Sequence, residues 1–395
     1  MLKKNLSICI AGKNDISVFA LDLVMELFSE AEILCLCNKN DEGYDTWQPS
    51  LRKYASFKEI KVVNLEDVYE IEDLIFISLE FDRIIKPELF ASKNLFNIHF
   101  SKLPAYKGMY TSALPLLHNE KESGVTLHKI DRGIDTGEQI DQIIFNIEQV
   151  QSSRDLYFLY LEHSKALLKR NINNLVFGPV NSYPQSAEES SYYSRNYIDY
   201  SNLQIDLNKT AQEIENQIKA FNFPEYQIPI VKGFKISNCK ILKNRSLKKP
   251  GTILKDDFHE LEIASIDYDV CLKKDMFSLL MQRCKVDDVK EIQKILDEIK
   301  NINLRNEKGW TPLIVASYFG SLKMIEILLN AGADINYTNY KGTTPLMYAM
   351  THFEETGQDK SFNLLMEKGA DINKIDIYGM DLRAYAKERN VQNLV

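Results

Sequence analysis

No uninterrupted apolar run in these 395 residues approaches the ~18 needed for a helix to cross a membrane, so no membrane-spanning helix is expected. The opening MLKKNLSICIAG is wrong for a secretory signal, because two lysines precede only a short apolar stretch that Gly12-Lys13-Asn14-Asp15 ends. A surplus of positive charge is also missing. The formal net charge of −8 argues against non-specific binding to nucleic acid or to an anionic membrane surface, and weighs against a tRNA substrate. There is no G-x-G-x-x-G phosphate loop, which leaves a dinucleotide-binding reading little support. The six cysteines (Cys9, Cys35, Cys37, Cys239, Cys271, Cys284) are scattered. They read as small buried hydrophobes, with Cys35 and Cys37 on one face of a strand, and not as disulfides or a metal site. A reducing cytoplasm is the expected compartment.

What is present is a soluble globular composition, 45% hydrophobic and 26% charged, in a chain long enough for two or three domains. In the first part short apolar runs alternate with amphipathic stretches. LSICIAG, EILCLCN, IKVVNL, LIFISLEF and LFNIHFS read as strands; VFALDLVMELFSE, LRKYASFK and LEDVYEI read as helices. Unbroken apolar strands alternating with helices predict a parallel, doubly wound α/β sheet, Rossmann-like in plan. Such sheets bind ligands at the carboxyl ends of their strands, where Gly12–Asp15, Ser78–Asp82 and Asn97–Leu103 fall. Residues 154–178 predict one long helix, and 179–195 a crossing loop. A small, mainly β subdomain follows. The expected division is 1–195 catalytic, 196–280 β-rich, and 281–395 helical repeats.

That last third repeats itself. Gly309-Trp310-Thr311-Pro312-Leu313 recurs 33 residues later from Gly342, and the Gly-Ala-Asp-Ile-Asn of 332–336 recurs 37 residues later at 369–373. A worn third copy starts at Tyr378. Period and elements match the ankyrin repeat, an all-α array. Thr-Pro supplies a helix cap and a fixed first φ.

One run carries chemistry. Asn97-Ile98-His99 is followed by Leu103-Pro104-Ala105-Tyr106-Lys107-Gly108, and 27 residues after that glycine comes Asp135-Thr136-Gly137. Asn97 and His99, two apart, share one face of a strand end. Each alone has a bland reading: a turn asparagine, a structural histidine, a loop carboxylate. Together they are an amide and imidazole that can steady an oxyanion, with an imidazole and carboxylate that can handle an amine's protons. That set suits transfer of a one-carbon acyl group to an amine.

These motifs, with Gly124-Val125-Thr126-Leu127-His128 ahead of Asp131, resemble the folate-dependent formyltransferases. The resemblance implies Asn97, His99 and Asp135 as catalytic residues and N10-formyltetrahydrofolate as cosubstrate, without a metal. It implies a pterin pocket between Ser78-Leu79-Glu80-Phe81-Asp82 and Asp131-Arg132-Gly133-Ile134, with Phe81 and Ile134 as apolar walls. Ala11–Asn14, Asp45–Ser50, Ser78–Pro87, Tyr106–Ser112 and Phe221–Gln227 are similar to the nucleotide-sugar branch. Its acceptor is a dTDP-linked aminodeoxyhexose; ankyrin-bearing members suggest a 3-amino-3,6-dideoxyhexose destined for O-antigen. A 4-amino isomer, a formyltetrahydrofolate hydrolase and an inert ankyrin scaffold are the alternatives. By the same resemblance Met109, Tyr110 and Thr111 are hexose contacts, Lys13, Asn14 and Arg195 pyrophosphate contacts, and Phe221 and Tyr226 flank thymine. Lys107 departs from the usual Tyr-Arg-Gly, keeping charge but losing a bidentate fork. A homodimer is expected. The ankyrin array is expected to bind a partner protein or a second nucleotide-sugar, with Trp310 as the stacking residue.

Overall fold

In the computed structural model, residues 6–391 and Leu394 are described, Asn202 by its backbone alone. The end of the expected repeat cap at 381–395 lies in part outside them. The chain forms two compact units. One comprises Met1–Phe223, Asn238–Ile253 and Ile263–Cys271; the other comprises Pro224–Ser237, Leu254–Glu262 and Leu272–Val395. No described helix is long and apolar enough to cross a membrane.

The first unit is built on strands β1 (Ser7–Gly12), β2 (Glu32–Cys37), β3 (Lys61–Val62), β4 (Leu74–Leu79) and β5 (Leu95–His99). Two-residue β6 (Lys107–Gly108) precedes β7 (Glu122–Lys129) and β8 (Gln139–Asn146), and β9 (Tyr192–Tyr193) comes later. The large sheet has the order β3-β2-β1-β4-β5-β7-β8. β1 and β4 are buried along their whole length, which is why their sequences are apolar without alternation. Helices α1 (Asn14–Leu27) and α2 (Leu51–Phe57) make the parallel crossovers. The chain runs outward from β1 through β2 to β3, then returns to the other side at β4. A crevice therefore opens at the carboxyl ends of β1 and β4. Their approach is close: a Cβ on Gly12, whose φ is +154°, would sit 1.8 Å from Leu79 O.

The sheet is mixed: β1 to β5 pair parallel, as their apolar runs predict, and the strands beyond them do not. β7 runs antiparallel to both β5 and β8, because the short turn 130–138 can join only antiparallel neighbours. Other expectations shrink. The strand in IKVVNL is two residues long, and LEDVYEI forms only a 3-10 turn, Leu65–Val68, capped by Asn64 and Asp67. Short helix α3 (Leu114–Leu117) leads into β7, and α4 (Ser153–Phe177) is the long helix expected. Ser152 caps it by accepting from Asp155 N–H. Loop 179–195 ties the segment after β5 in place: β9 pairs with β6, and Lys107 N–H donates to Ser191 O at 2.9 Å. Helix α5 (Ala211–Phe221) follows, with Thr210 and Glu213 forming a reciprocal cap.

A second sheet has the order β10-β11-β14-β13-β12. Its strands are β10 (Ile230–Val231), β11 (Phe234–Arg245), β12 (Ile253–Asp256), β13 (Glu260–Ile263) and β14 (Tyr268–Lys274). Helices α6 (Met276–Val286) and α7 (Ile292–Glu298) lead into the repeats α8 (Pro312–Tyr318), α9 (Leu322–Asn330), α10 (Pro345–Thr356), α11 (Lys360–Glu367) and α12 (Leu382–Glu388). Thr311 and Thr344 cap α8 and α10 by accepting from Ile314 N–H and Met347 N–H, as their Thr-Pro pairs predict. In the worn copy Asp381 does the same for α12. The repeats share one apolar core that includes Leu280, Ile295, Leu313, Met324, Leu346, Phe362 and Leu382.

Candidate active site

β5 sets two side chains and the turn after β7 brings a third to them. Asn97 pairs across the sheet with His128 on β7, and His99 with Thr126. Asp135 leaves the 131–138 turn with φ of +54°, a left-handed conformation costly for a non-glycine residue. Its carboxylate meets both β5 residues. Oδ2 lies 3.4 Å from His99 Nδ1, and Oδ1 accepts from Asn97 Nδ2 at 3.5 Å. Oδ2 also accepts from Gly108 N–H at 2.9 Å, while His128 Nε2 stands 3.6 Å from Oδ1. The sequence-predicted triad thus converges on one carboxylate.

Several local devices hold that carboxylate. Asp131 Oδ1 accepts from Gly133 N–H at 3.1 Å and from Thr136 Oγ1 at 2.7 Å, shaping the turn. Gln185, from the crossing loop, donates through Nε2 to the carbonyls of Asp135 and Gly137, both at 2.8 Å. The glycine of Asp-Thr-Gly has a steric reason, since a Cβ there would fall 1.8 Å from Lys129 O. Gly137→Ala is therefore expected to shift the turn and carry Asp135 away from His99. Turnover and melting temperature should both fall, measured by steady-state rates and thermal unfolding. Burial pushes the Asp135 carboxyl upward, but the charges of His99 and His128 and the His128 and Gly108 hydrogen bonds outweigh it and hold the group well below the usual range.

Both nitrogens of His99 face acceptors. Nε2 donates to Tyr106 O at 2.9 Å, and Nδ1 faces Asp135. A carbonyl and a carboxylate both accept, and between them they fix the plane of the ring. Tyr106 presents its carbonyl from φ of +61°. Its ring stacks on Tyr193 at 5.6 Å, and its hydroxyl donates to Glu120 at 2.7 Å. Lys107 Nζ donates to Ser190 Oγ at 3.1 Å.

The remaining predicted residues are distributed as follows. Ser78 and Leu79 are buried at the end of β4, and Phe81 packs edge-on to Phe76 at 6.5 Å. Asp82 accepts from Lys39 N–H at 3.2 Å. Ile134 is exposed. Lys13 N–H donates to Leu79 O at 3.3 Å. Asn14 Nδ2 donates to Glu80 at 3.1 Å and to Tyr157 OH at 3.2 Å, so its amide protons are engaged inside the protein. Met109 is exposed and its N–H donates to Tyr193 O at 2.9 Å. Tyr110 OH donates to the carbonyls of exposed Arg195 and of Ile198, and Thr111 O accepts from Tyr160 OH at 2.9 Å. Phe221 is buried, 6.3 Å from Tyr200. Tyr226 belongs to the second unit and is exposed. Trp310, also there, is half-buried with Tyr318 and Tyr348 at 5.3 and 4.8 Å.

Sequence reasoning missed His128, Gln185 and the backbone of Tyr106 and Gly108. His128 had left a signal as the histidine of Gly-Val-Thr-Leu-His, and Tyr106 and Gly108 as members of Leu-Pro-Ala-Tyr-Lys-Gly; Gln185 had left none.

Residues 47–172 match the formyl transferase family and 197–276 its C-terminal domain; 280–376 match ankyrin repeats in three copies. The chain aligns with the crystal structure of WlaRD, a sugar 3N-formyl transferase, at 44% identity and a TM-score of 0.63. The alignment covers 68% of this chain and 97% of that one. The chain belongs to the sugar N-formyltransferases. A second member, the N-formyltransferase from Helicobacter canadensis, is 43% identical with a TM-score of 0.63, covering 68% of this chain and all of that one. Methionyl-tRNA formyltransferase of Clostridium novyi is more distant. It is 27% identical over 222 residues, 54% of this formyltransferase and 68% of the relative.

Proposed function

We propose that this enzyme moves the formyl group of N10-formyltetrahydrofolate to the amine of a dTDP-linked 3-amino-3,6-dideoxyhexose. The observation that carries the chemistry is the meeting of Asn97, His99 and Asp135 within 3.5 Å contacts. The acceptor is supported by the two relatives. WlaRD was solved with dTDP and 5-N-formyl-THF, and the Helicobacter canadensis enzyme with folinic acid and dTDP-3-aminofucose.

The amine, as free base, attacks the formyl carbon. A new C–N bond forms, the carbonyl oxygen takes up negative charge, and the bond to folate N10 then breaks. Asn97 donates an N–H to that oxygen and the His99 ring, held between Tyr106 O and Asp135, polarises it. Asp135 holds the His99 ring and relays the amine's proton to N10. The loops 78–82 and 131–134 contact the pterin. Met109, Tyr110 and Thr111 face the hexose, and Lys13 and Arg195 the pyrophosphate. We place the catalytic region at 1–195, the β-rich region at 196–280 and the repeats at 281–395. The enzyme acts as a cytoplasmic homodimer and supplies O-antigen synthesis.

Incubation with N10-formyltetrahydrofolate and a panel of dTDP-3-amino and dTDP-4-amino sugars, read by mass, tests the assignment. A gain of one formyl group on 3-amino sugars is expected. Preference for the 4-amino isomers, or folate release without any sugar, would reassign the acceptor to that isomer or to water.

The repeats hold a second nucleotide-sugar against Trp310, supported by its aromatic neighbours Tyr318 and Tyr348 and by Lys308 Nζ at 5.9 Å from its ring. Trp310→Ala is expected to reduce the binding stoichiometry for dTDP-aminosugar from two to one per chain in equilibrium titration. An unchanged stoichiometry would remove the second site.

A further inference from the structure

The direction of the Asn97 amide bears on its role. Nδ2 lies 3.0 Å from His128 Nε2 and donates to Asp135 Oδ1 at 3.5 Å. Both amide hydrogens are thus engaged within the protein, and Oδ1 is the end left over. An acceptor oxygen repels an oxyanion, so the amide must turn before it can stabilise one.

His128 controls that turn. The ring is buried, 2% exposed, and lies directly across the sheet from Asn97 on one side and Gln139 on the other. Its Nδ1 stands 2.7 Å from Lys129 O. A carbonyl can only accept, so Nδ1 carries a hydrogen. Nε2 then has two states. Bare, it accepts from Asn97 Nδ2, as in the present arrangement. Protonated, it can only donate, and its acceptors are Asn97 Oδ1 and Asp135 Oδ1. The carboxamide must then rotate by half a turn, which puts Oδ1 against His128 and points the NH2 group outward. The charged group facing His128 is Asp135, at 3.6 Å. The Lys129 ammonium is paired with Glu138 at 2.9 Å.

We propose that His128 is a positioning residue for the formyl transfer described above: through its Nε2 contact it fixes the rotation of the Asn97 carboxamide, and with it which end of the amide faces the oxygen of the formyl group. This rests on the transfer reading. In this role His128 acts through Asn97, and any part played by its contact with Asp135 Oδ1 at 3.6 Å is what the Asn97→Ala background would expose.

A double-mutant cycle on the full chain tests it, with circular dichroism and thermal unfolding confirming that each variant folds. His128→Leu should lower kcat roughly tenfold to a hundredfold, less than or equal to the loss in Asn97→Ala, with KM for either substrate little changed. In an Asn97→Ala background the same substitution should cost nothing further, because residues acting as one unit are non-additive. His128→Gln, whose amide can donate to Asn97 Oδ1, should restore most of the rate. A His128→Leu loss that persists undiminished in the Asn97→Ala background, or a kcat equal to wild type in His128→Leu, would overturn the proposal. The cycle can be read on folate release as readily as on sugar formylation, so an error in the assigned acceptor leaves it intact. Absence of any turnover by the wild type would remove the reaction itself.

Discussion

Replacing His99 by Asn is expected to lower kcat by roughly two to four powers of ten, with KM for folate and for the amino sugar changed only a few-fold. His99 is buried at the end of β5 and bound on one edge to Tyr106 O, on the other to the region of Asp135 Oδ2. Asn has the polarity to fill part of that space, so the backbone should hold. It cannot present an imidazole ring beside the formyl oxygen, nor face Asp135 and Tyr106 O with two ring nitrogens at once. The loss therefore belongs in the transition state and not in ground-state binding, which is the pattern of a fall in kcat and kcat/KM together. Near-normal turnover in this variant would remove His99 from the chemistry.

Asp135→Asn is expected to cost roughly a thousandfold or more in kcat, by analogy with loss of the carboxylate that orients a catalytic histidine. The substitution keeps size and can still accept from Gly108 N–H. It leaves His99 and His128 without a counter-charge and presents an NH2 group where acceptors are required. Because the carboxyl is held well below the usual range, Asp135 stays ionised at every working pH, so the loss should persist across the whole pH–rate curve and not vanish at either end. The same depression has a stability consequence. A carboxylate with a lowered folded pKa contributes stability in full above its unfolded value of ~3.9 and loses it as pH falls toward the folded value. Wild type should lose that contribution on acidification below about pH 4, and Asp135→Asn should lack it at neutral pH already. Acid titrations of the unfolding midpoint for the two proteins check this. Equal midpoints at neutral pH would show that the ion pairs contribute nothing to the fold.

How much of the site could be read in the chain differs by residue. Asn97 and His99 were legible because a strand's period of two puts them on one face, and their strand is a buried apolar run. Asp135 was legible only as part of a motif; nothing local says that a left-handed residue at the end of a turn will reach back to β5. The glycine of Asp-Thr-Gly was visible but unexplained until the Lys129 carbonyl was found where its Cβ would be. His128 was in plain sight within Gly-Val-Thr-Leu-His, yet its spacing from Asn97 along the chain says nothing. Only the antiparallel pairing of β5 with β7 sets the two opposite each other. Asn14 shows the opposite case, an expected phosphate ligand whose amide is engaged by Glu80 and Tyr157, partners 66 and 143 residues away.

The fold divides in the same manner. Apolar runs long enough to be buried on both faces dictated a sheet with helices around it, and the Thr-Pro caps and fixed period dictated the repeats, because both signals are carried by neighbours in sequence. The direction of β7 and β8, the truncation of the 65–71 helix to one turn, and the capture of the Asp135 turn by Gln185 from the crossing loop were decided in space. Those outcomes depend on hydrogen bonds and close packing between segments far apart in the chain, whose energies no local pattern encodes.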